Sequence, residues 1–412
     1  MSFAKFVVDL RDRYGVEAAG ARHEIFFIHQ RSGWLGPGLR AFLAALRDAA
    51  LCLGLRKSVA APAAVITVSS RAGFHGLEAL HPFFADLELR DIAYSLIVHP
   101  RLRTSVAAAS PGRPLSSAWL HALKAFHVPF PHPDRRAFVV RCCLFRLRLW
   151  QGAWSRVLGG EQRGSLILHN DFELFCVAAL RAGAGRWLGI CVQHGLPTDE
   201  FFPTLAQRHI VWGDSSRLAY IAQGTPPDAI HFGPERRLVT RAGHTAPTAV
   251  CLVSQTHTPV FGRSLAKDFL QLAERLADAA TGPDAFAILL HPEEVRLGHP
   301  FAGTRLAGWC RLPPHRELRA GAKASSIVVG FCSTALIEAA RQGHLVIGMN
   351  WPVEASQAAL SVGRPANLAD NAEQLCGMLE RLLADPAEWA RMLRIQDEWL
   401  ARSFAHGEDW LP

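Results

Sequence analysis

The chain has no CxxC pair, no HExxH, no Asp-x-Asp at a strand end, and no apolar stretch near the roughly 20 residues that span a bilayer. Each absence excludes something. Without Cys/His pairs at ligand spacing there is no structural zinc framework, and nine cysteines, an odd number with Cys142 and Cys143 adjacent, do not form a disulfide scaffold. They read as reduced core residues. The missing acidic strand end removes a common seat for a divalent ion, so chemistry without a metal or a resident cofactor is expected. Lys/Arg-rich runs are also lacking, which argues against a dedicated nucleic-acid binder. Asp9 and Arg11 interrupt the amino-terminal segment before a signal-length apolar run develops, so a cytoplasmic protein is expected.

What is present points to a folded enzyme. The 412 residues exceed one ordinary core and suggest two domains, and half of them are hydrophobic against 19% charged, enough apolar surface for large cores. The formal net charge of +8, carried mostly by arginine spread along the chain, favours anionic partners such as phosphates, acidic sugars or a lipid headgroup surface.

Residues 325–350, SSIVVGFCSTALIEAARQGHLVIGMN, read as a compact strand–helix–strand unit. Ser326–Gly330 is the first strand, Gly330–Thr334 a small-residue turn, Ala335–Gln342 the helix and Leu345–Met349 the returning strand. Ser333 or Thr334 can cap the helix, whose free N–H groups favour an anion beyond the strand's carboxyl end. Equally, the pattern fits an ordinary capped helix. A second unit runs from strand Ser165–His169 through Asn170-Asp171 and a helix at Phe172–Arg181 to strand Trp187–Val192, which ends at Gln193-His194-Gly195. Parallel sheets of this kind bind ligands beyond the carboxyl ends of their strands, so Asp171 and His194 are expected at one rim. Asp171 also suits a helix cap.

Elsewhere the pattern predicts an amino-terminal helix, a strand at Glu24–His29, a helix at Ala41–Leu53, strands at Ala64–Ser69 and Ile92–Val98, and helix near Ala118–Phe126. Between Phe138 and Leu158, arginines 141, 146, 148 and 156 alternate with Leu, Phe and Trp. That segment reads as an amphipathic helix packed on its own domain with a solvated Arg face, or as one lying peripherally on an anionic membrane. Residues 234–248 read as a polar linker, after which strands at Ala249–Ser254 and Phe286–Leu290 and a helix at Ser264–Ala280 open a second set. Two helices, near 371–385 and 387–403, finish the chain.

The combination of QHG at 193–195, WG at 212–213, HPEE at 291–294 and GFCSTALIEAA at 330–340 resembles the GT-B glycosyltransferases of bacterial surface polysaccharide assembly. Within them it is similar to enzymes using CMP-activated acidic sugars, the sialyl-, polysialyl- and Kdo transferases, and more distantly to the CDP-glycerol transferases of teichoic acid synthesis. The likeness covers about 165–350. It implies an α/β fold of two facing Rossmann-like domains with a cleft between them: an acceptor-binding domain over 1–240, a nucleotide-sugar-binding domain over 241–395, and a carboxyl-terminal helix, 396–412, that could return to the first domain.

Carried onto this chain, the resemblance makes His291 the contact to the CMP phosphate or a helper of the leaving group, next to Pro292. Ser333 and Thr334 become the hydroxyl pair on that phosphate, and Glu317, with Glu338 as its rival, the carboxylate on the ribose. Gln255 closes the donor-binding set. Where sialyltransferases carry an acidic pair before glycine this chain has Gln193-His194-Gly195, so the acceptor hydroxyl is expected to be activated by His194, with Asp171 as rival base, orienter or nucleophile. Asp199 and Glu200 follow as weaker acceptor-side candidates. The expected partners are a nucleotide sugar and a glycan or lipid-linked glycan. A CDP-alcohol phosphotransferase, a UDP-sugar transferase or a noncatalytic nucleotide- or glycan-binding homologue are the alternatives.

Overall fold

A computed structural model describes residues 3–30, 36–55, 64–68, 73–102, 109–131, 134–234, 249–254, 266–282, 284–291, 294–295, 301–311, 326–351, 357–405, 407 and 410–411. Runs of Val, Ile and Leu that are buried on both faces form parallel strands, because a continuous apolar run suits a sheet covered by helices on either side. They build two six-stranded sheets, parallel at every described pairing. The first takes β1 (Ala64–Val68), β2 (Tyr94–Val98), β3 (Gly164–Leu168), β4 (Trp187–Val192), β5 (Arg208–Val211) and β6 (Ile230–Phe232), in the order β2-β1-β3-β4-β5-β6. The second takes β7 (Val250–Val253), β8 (Phe286–Leu289), β9 (Cys310–Arg311), β10 (Ile327–Gly330), β11 (Leu345–Met349) and β12 (Leu368–Ala369), in the order β12-β11-β10-β7-β8-β9. The fold is therefore α/β with two Rossmann-like halves.

The first half carries a layer of helices: α1 (Phe3–Tyr14), α2 (Val16–Ala19), α3 (Arg22–Gln30), α4 (Pro37–Leu53), α5 (Gly73–Leu89), α6 (Ser116–Leu123), α7 (Ala137–Trp154), α8 (Leu174–Gly183) and α9 (Asp214–Ala222). The second half adds α10 (Ala266–Ala279), α11 (Thr334–Arg341), α12 (Gln357–Gly363), α13 (Ala372–Ala384) and α14 (Pro386–Ser403). Two expectations fail here. Glu24–His29 is not a strand but the body of α3, whose buried residues Glu24, Ile25 and Ile28 recur at helical spacing against α7. The 138–158 segment is a helix packed on its own domain, but its Arg face is not solvated throughout: Arg146 and Arg148 are buried while Arg156 is exposed. Helix α7 is the hub of the layer, packed on α4, α6 and α8. Its Arg146 lies buried between Asp48 (Nε to Oδ2, 2.8 Å) and Glu24 (2.7 Å), and Arg148 makes a two-pronged contact with Glu17 at 2.8 and 2.6 Å. Trp150 Nε1 also donates to Asp48 Oδ2, at 3.0 Å. Among the described residues no helix is long and apolar enough to cross a membrane.

One buried apolar cluster runs through both halves, joining Phe172, Leu196, Phe201, Trp212 and Tyr220 of the first to Leu252, Val329 and Leu336 of the second. The carboxyl-terminal tail adds a second tie. Ala405 N–H donates to Trp212 O (2.7 Å), Gly407 N–H to Gly233 O (2.9 Å), and the fully buried Trp410 packs edge-on against Phe83 and donates to Asp86 (2.8 Å). Gly213 of the Trp-Gly pair allows this return, since a Cβ there would meet the Ser403–Phe404 backbone at 2.6 Å.

Candidate functional site

In the second sheet the chain moves outward from β7 to β8 and β9, then crosses back so that β10 lands on the other side of β7 and leads to β11 and β12. The order reverses between β7 and β10, and a crevice opens outside their carboxyl ends, where such sheets hold nucleotides. Ser254 ends β7. At the end of β10, Ser333 caps α11, its Oγ accepting from Ala335 N–H at 3.2 Å, and Thr334 is the first helical residue. Leu336 N–H donates to Ser333 O at 3.0 Å, and a helix start of this kind favours an anion. Both hydroxyl residues are half-buried.

His291 follows β8, on the far side of β7. With strands about 4.8 Å apart, the ends of β8 and β10 lie about 10 Å apart, so a group touching both His291 and Ser333 has to sit over the end of β7. Buried Glu294 fixes that arrangement: Oε1 accepts from Ser254 Oγ (3.0 Å) and Oε2 from the His291 N–H (2.9 Å). Neither Ser254 nor Glu294 stood out beforehand. The signal was there in HPEE, a carboxylate three residues after a strand-end histidine, where a turn brings it back to the backbone.

On the first sheet, β3 ends at His169-Asn170-Asp171 and β4 at Gln193-His194-Gly195. His194 stacks on Phe201 (5.2 Å between centroids, 17° between planes) and stands 5.4 Å from the His169 ring. Burial, then the neighbouring His194, drives the His169 pKa well below the usual imidazole range, so His169 is neutral at pH 7. It therefore does not oppose a positive charge on His194. Asn170 bridges outward, meeting His169 Nε2 at 2.5 Å and donating to Glu173 Oε1 at 3.1 Å.

The two rims meet. A Cβ on Gly195 would lie 3.6 Å from Thr334 Oγ1, so the QHG turn of the first half rests against the Ser-Thr turn of the second. Behind this junction Leu196 fits against Gly363 of α12, where a Cβ would come within 2.3 Å of the leucine.

Several expected site residues serve the framework. Gln193 is fully buried: Oε1 accepts from Trp212 N–H (2.9 Å), Nε2 donates to Gly195 O (3.0 Å), and its carbonyl accepts from Trp212 Nε1 (3.0 Å). It braces the turn from inside, 0% exposed. Asp171 is 1% exposed, and its Oδ2 accepts from the backbone N–H of Leu205 and, at 3.1 Å, of Ala206. Neither does it cap α8; Asn170 Oδ1 takes the Glu173 N–H at 3.1 Å. Glu338 is one turn inside α11 and forms an ion pair with Arg341 at 3.0 Å. Asp199 opens a short 3₁₀ turn, Asp199–Phe201, beside the junction, and burial pushes the neighbouring Glu200 carboxyl above the usual range. Gln255, Pro292 and Glu317 lie outside the described residues.

Asp171, Cys191 and His209, all buried, bring one ligand atom each within 4.8 Å of one another and could hold a metal ion. As they stand, burial keeps the thiol protonated and the imidazole neutral.

The sequence matches no protein-family model and no curated protein. Solved structures similar to it include the UDP-GlcNAc 2-epimerase of Neisseria meningitidis bound to UDP-GlcNAc (14% identity, 82% of this chain and 97% of that one, TM-score 0.46). A lipopolysaccharide outer core galactosyltransferase in apo form (12%, 82% and 96%, 0.45) and the calicheamicin glycosyltransferase CalG4 (14%, 83% and 95%, 0.44) are also similar.

Proposed function

We propose that the chain is a nucleotide-sugar glycosyltransferase that moves an acidic 2-keto sugar, of the sialic acid or Kdo type, from a CMP donor to a hydroxyl of a surface glycan. The reading rests on one observation: the Gly195–Thr334 contact, which sets the turn that carries His194 in one half against a phosphate-suited helix start of the other. The choice of CMP and of an acidic sugar comes from the order of the QHG, WG, HPEE and GFCST motifs along the chain.

In this reading the acceptor hydroxyl oxygen attacks the anomeric carbon and its proton passes to the His194 imidazole, a group that exchanges protons readily near neutral pH. The bond from the anomeric carbon to the phosphate oxygen breaks, and its electron pair leaves with CMP. The charge gathering on that phosphate is met by the positive end of α11, the hydroxyls of Ser333 and Thr334, and His291. These donors are aimed before the reaction starts, which is what makes them effective. Asp171, with its Oδ2 committed to two backbone N–H groups inside the first half, is not needed as a nucleophile. A single displacement with inversion follows.

Thermal unfolding with CMP, UDP, dTDP and no nucleotide tests the donor side. CMP at about 100 times its Kd stabilises by about 2.7 kcal/mol through mass action, and UDP and dTDP do much less. Equal or greater protection by UDP moves the reading to a UDP-sugar transferase, and no protection by any nucleotide ends it. Incubation with CMP-Kdo, CMP-sialic acid and CDP-glycerol then identifies which donor releases its nucleotide.

A further inference from the structure

The first half holds a second feature that the reaction centre does not use. A cavity of about 420 Å³ lies beside the carboxyl ends of β2 and β3, within the size range of ligand pockets. Arg40, Arg47 and Arg101 line it together with the paired Arg146, over an aromatic floor of Trp150 and Phe175. Its carboxylates are largely spoken for. Glu24 and Asp48 hold Arg146, and Glu173 accepts from Asn170. Arg47 takes only the outer edge of Asp48, at 3.2 and 3.3 Å, and the Arg101 guanidinium makes no hydrogen bond or ion pair among the described residues. Arg101 is set in place by its backbone, whose N–H donates to His99 Nδ1 (3.3 Å) at the end of β2.

The cavity adjoins the reaction centre. Glu173 forms part of its wall, and from there Asn170 and His169 lead to His194, so the 169–173 turn separates cavity from imidazole.

We propose that this cavity is the acceptor's anion subsite: Arg47 and Arg101, with Arg40 beside them, hold a phosphate or carboxylate of the acceptor glycan, and so place its reacting hydroxyl toward His194. Guanidinium groups suit this, because their planar donor forks match both anions and keep their charge at every working pH. The apolar floor takes the face of a sugar ring. The inference rests on the acceptor-side reading of the first half given above.

Titration of the full chain, with and without saturating CMP, against glucose 6-phosphate, glucuronate and glucose tests it. Wild type is expected to bind one or both anions saturably and glucose at least 10-fold more weakly. The double variant Arg47→Gln/Arg101→Gln, checked for an unchanged circular dichroism spectrum, loses at least 10-fold in anion affinity and none in CMP affinity. Preference for the phosphate assigns a phosphorylated acceptor, and preference for glucuronate an acidic glycan. Unchanged anion affinity in the double variant, glucose binding as well as the anions, or no saturable anion binding by wild type overturns the proposal. Absence of CMP binding would instead count against the donor reading, because the arm without CMP still decides the cavity.

Discussion

The two carboxyl-end rims are built from opposite materials. On the second half the rim is backbone and small hydroxyls: a helix start, Ser254, Ser333, Thr334, and one buried carboxylate, Glu294, that aligns two strand ends. On the first half it is side chains, with His169, His194 and Phe201 packed ring to ring and a buried Arg–carboxylate network behind them. The strand orders differ in the same sense. Read from β9, the second sheet has three strands on each side of its reversal, whereas the first has two on one side and a helical layer in front. In the proposed reading the donor phosphate is held by the generic geometry of a strand–helix turn, and the particular side chains of the first half select the acceptor.

The contrast breaks most visibly at His194. His194→Ala is expected to lower acceptor-dependent CMP release by about 10²–10⁴-fold, the usual worth of a general base, with CMP affinity unchanged. Steady-state rates together with CMP titration check this, and a loss confined to CMP binding would place His194 on the donor side.

Next in size is Arg146→Ala, which leaves Glu24 and Asp48 buried without their cation and should cost about 3–5 kcal/mol in denaturant unfolding. A loss under 1 kcal/mol would show that the helical layer does not depend on that network.

The pH dependence follows. Burial lowers the His99 pKa to about 4, and lowers those of His169 and His209 as well. For a histidine with a depressed folded pKa the unfolded chain takes up the proton first, so stability is full above about pH 6.5 and falls as pH drops toward 4. The His99 contribution alone is about 3 kcal/mol over that window, and urea midpoints at pH 7, 6, 5 and 4 measure it. Flat midpoints over this range would contradict the buried neutral rings.

Asp171→Asn separates framework from chemistry. Since Oδ2 holds two backbone N–H groups, the variant should lose about 1–3 kcal/mol of stability while its folded fraction keeps its turnover. A large fall in turnover at unchanged stability would restore the carboxylate to the reaction. Smallest is Ser333→Ala: about 1 kcal/mol for the lost cap, with weakened CMP binding in the same variant.

How much of this was legible varied with range. The 325–350 unit was readable because each step is local: an apolar strand, small residues in the turn, Ser333 at the cap, and Gly343 past the helix with φ 91°. The strand-end histidines were equally local. What could not be read depends on pairing between residues far apart along the chain. Arg146 with Asp48 and Glu24 buries a face that reads as solvated, and only the fold brings Arg47 and Arg101 to one cavity. The error at Glu24–His29 has a different cause, since EIFFIH is too short and too uniformly apolar for its period to choose between helix and strand. Gln193 misled because its motif sits at the junction while its side chain is spent inside.

A crystal structure of the protein with bound CMP tests the central claim most directly. The phosphate is expected within hydrogen-bond reach of Ser333, Thr334 and the α11 amides, with the Gly195 turn and His194 as its neighbours from the first half. A phosphate seated on the first sheet's rim, or on the second half away from the Gly195–Thr334 contact, would contradict it.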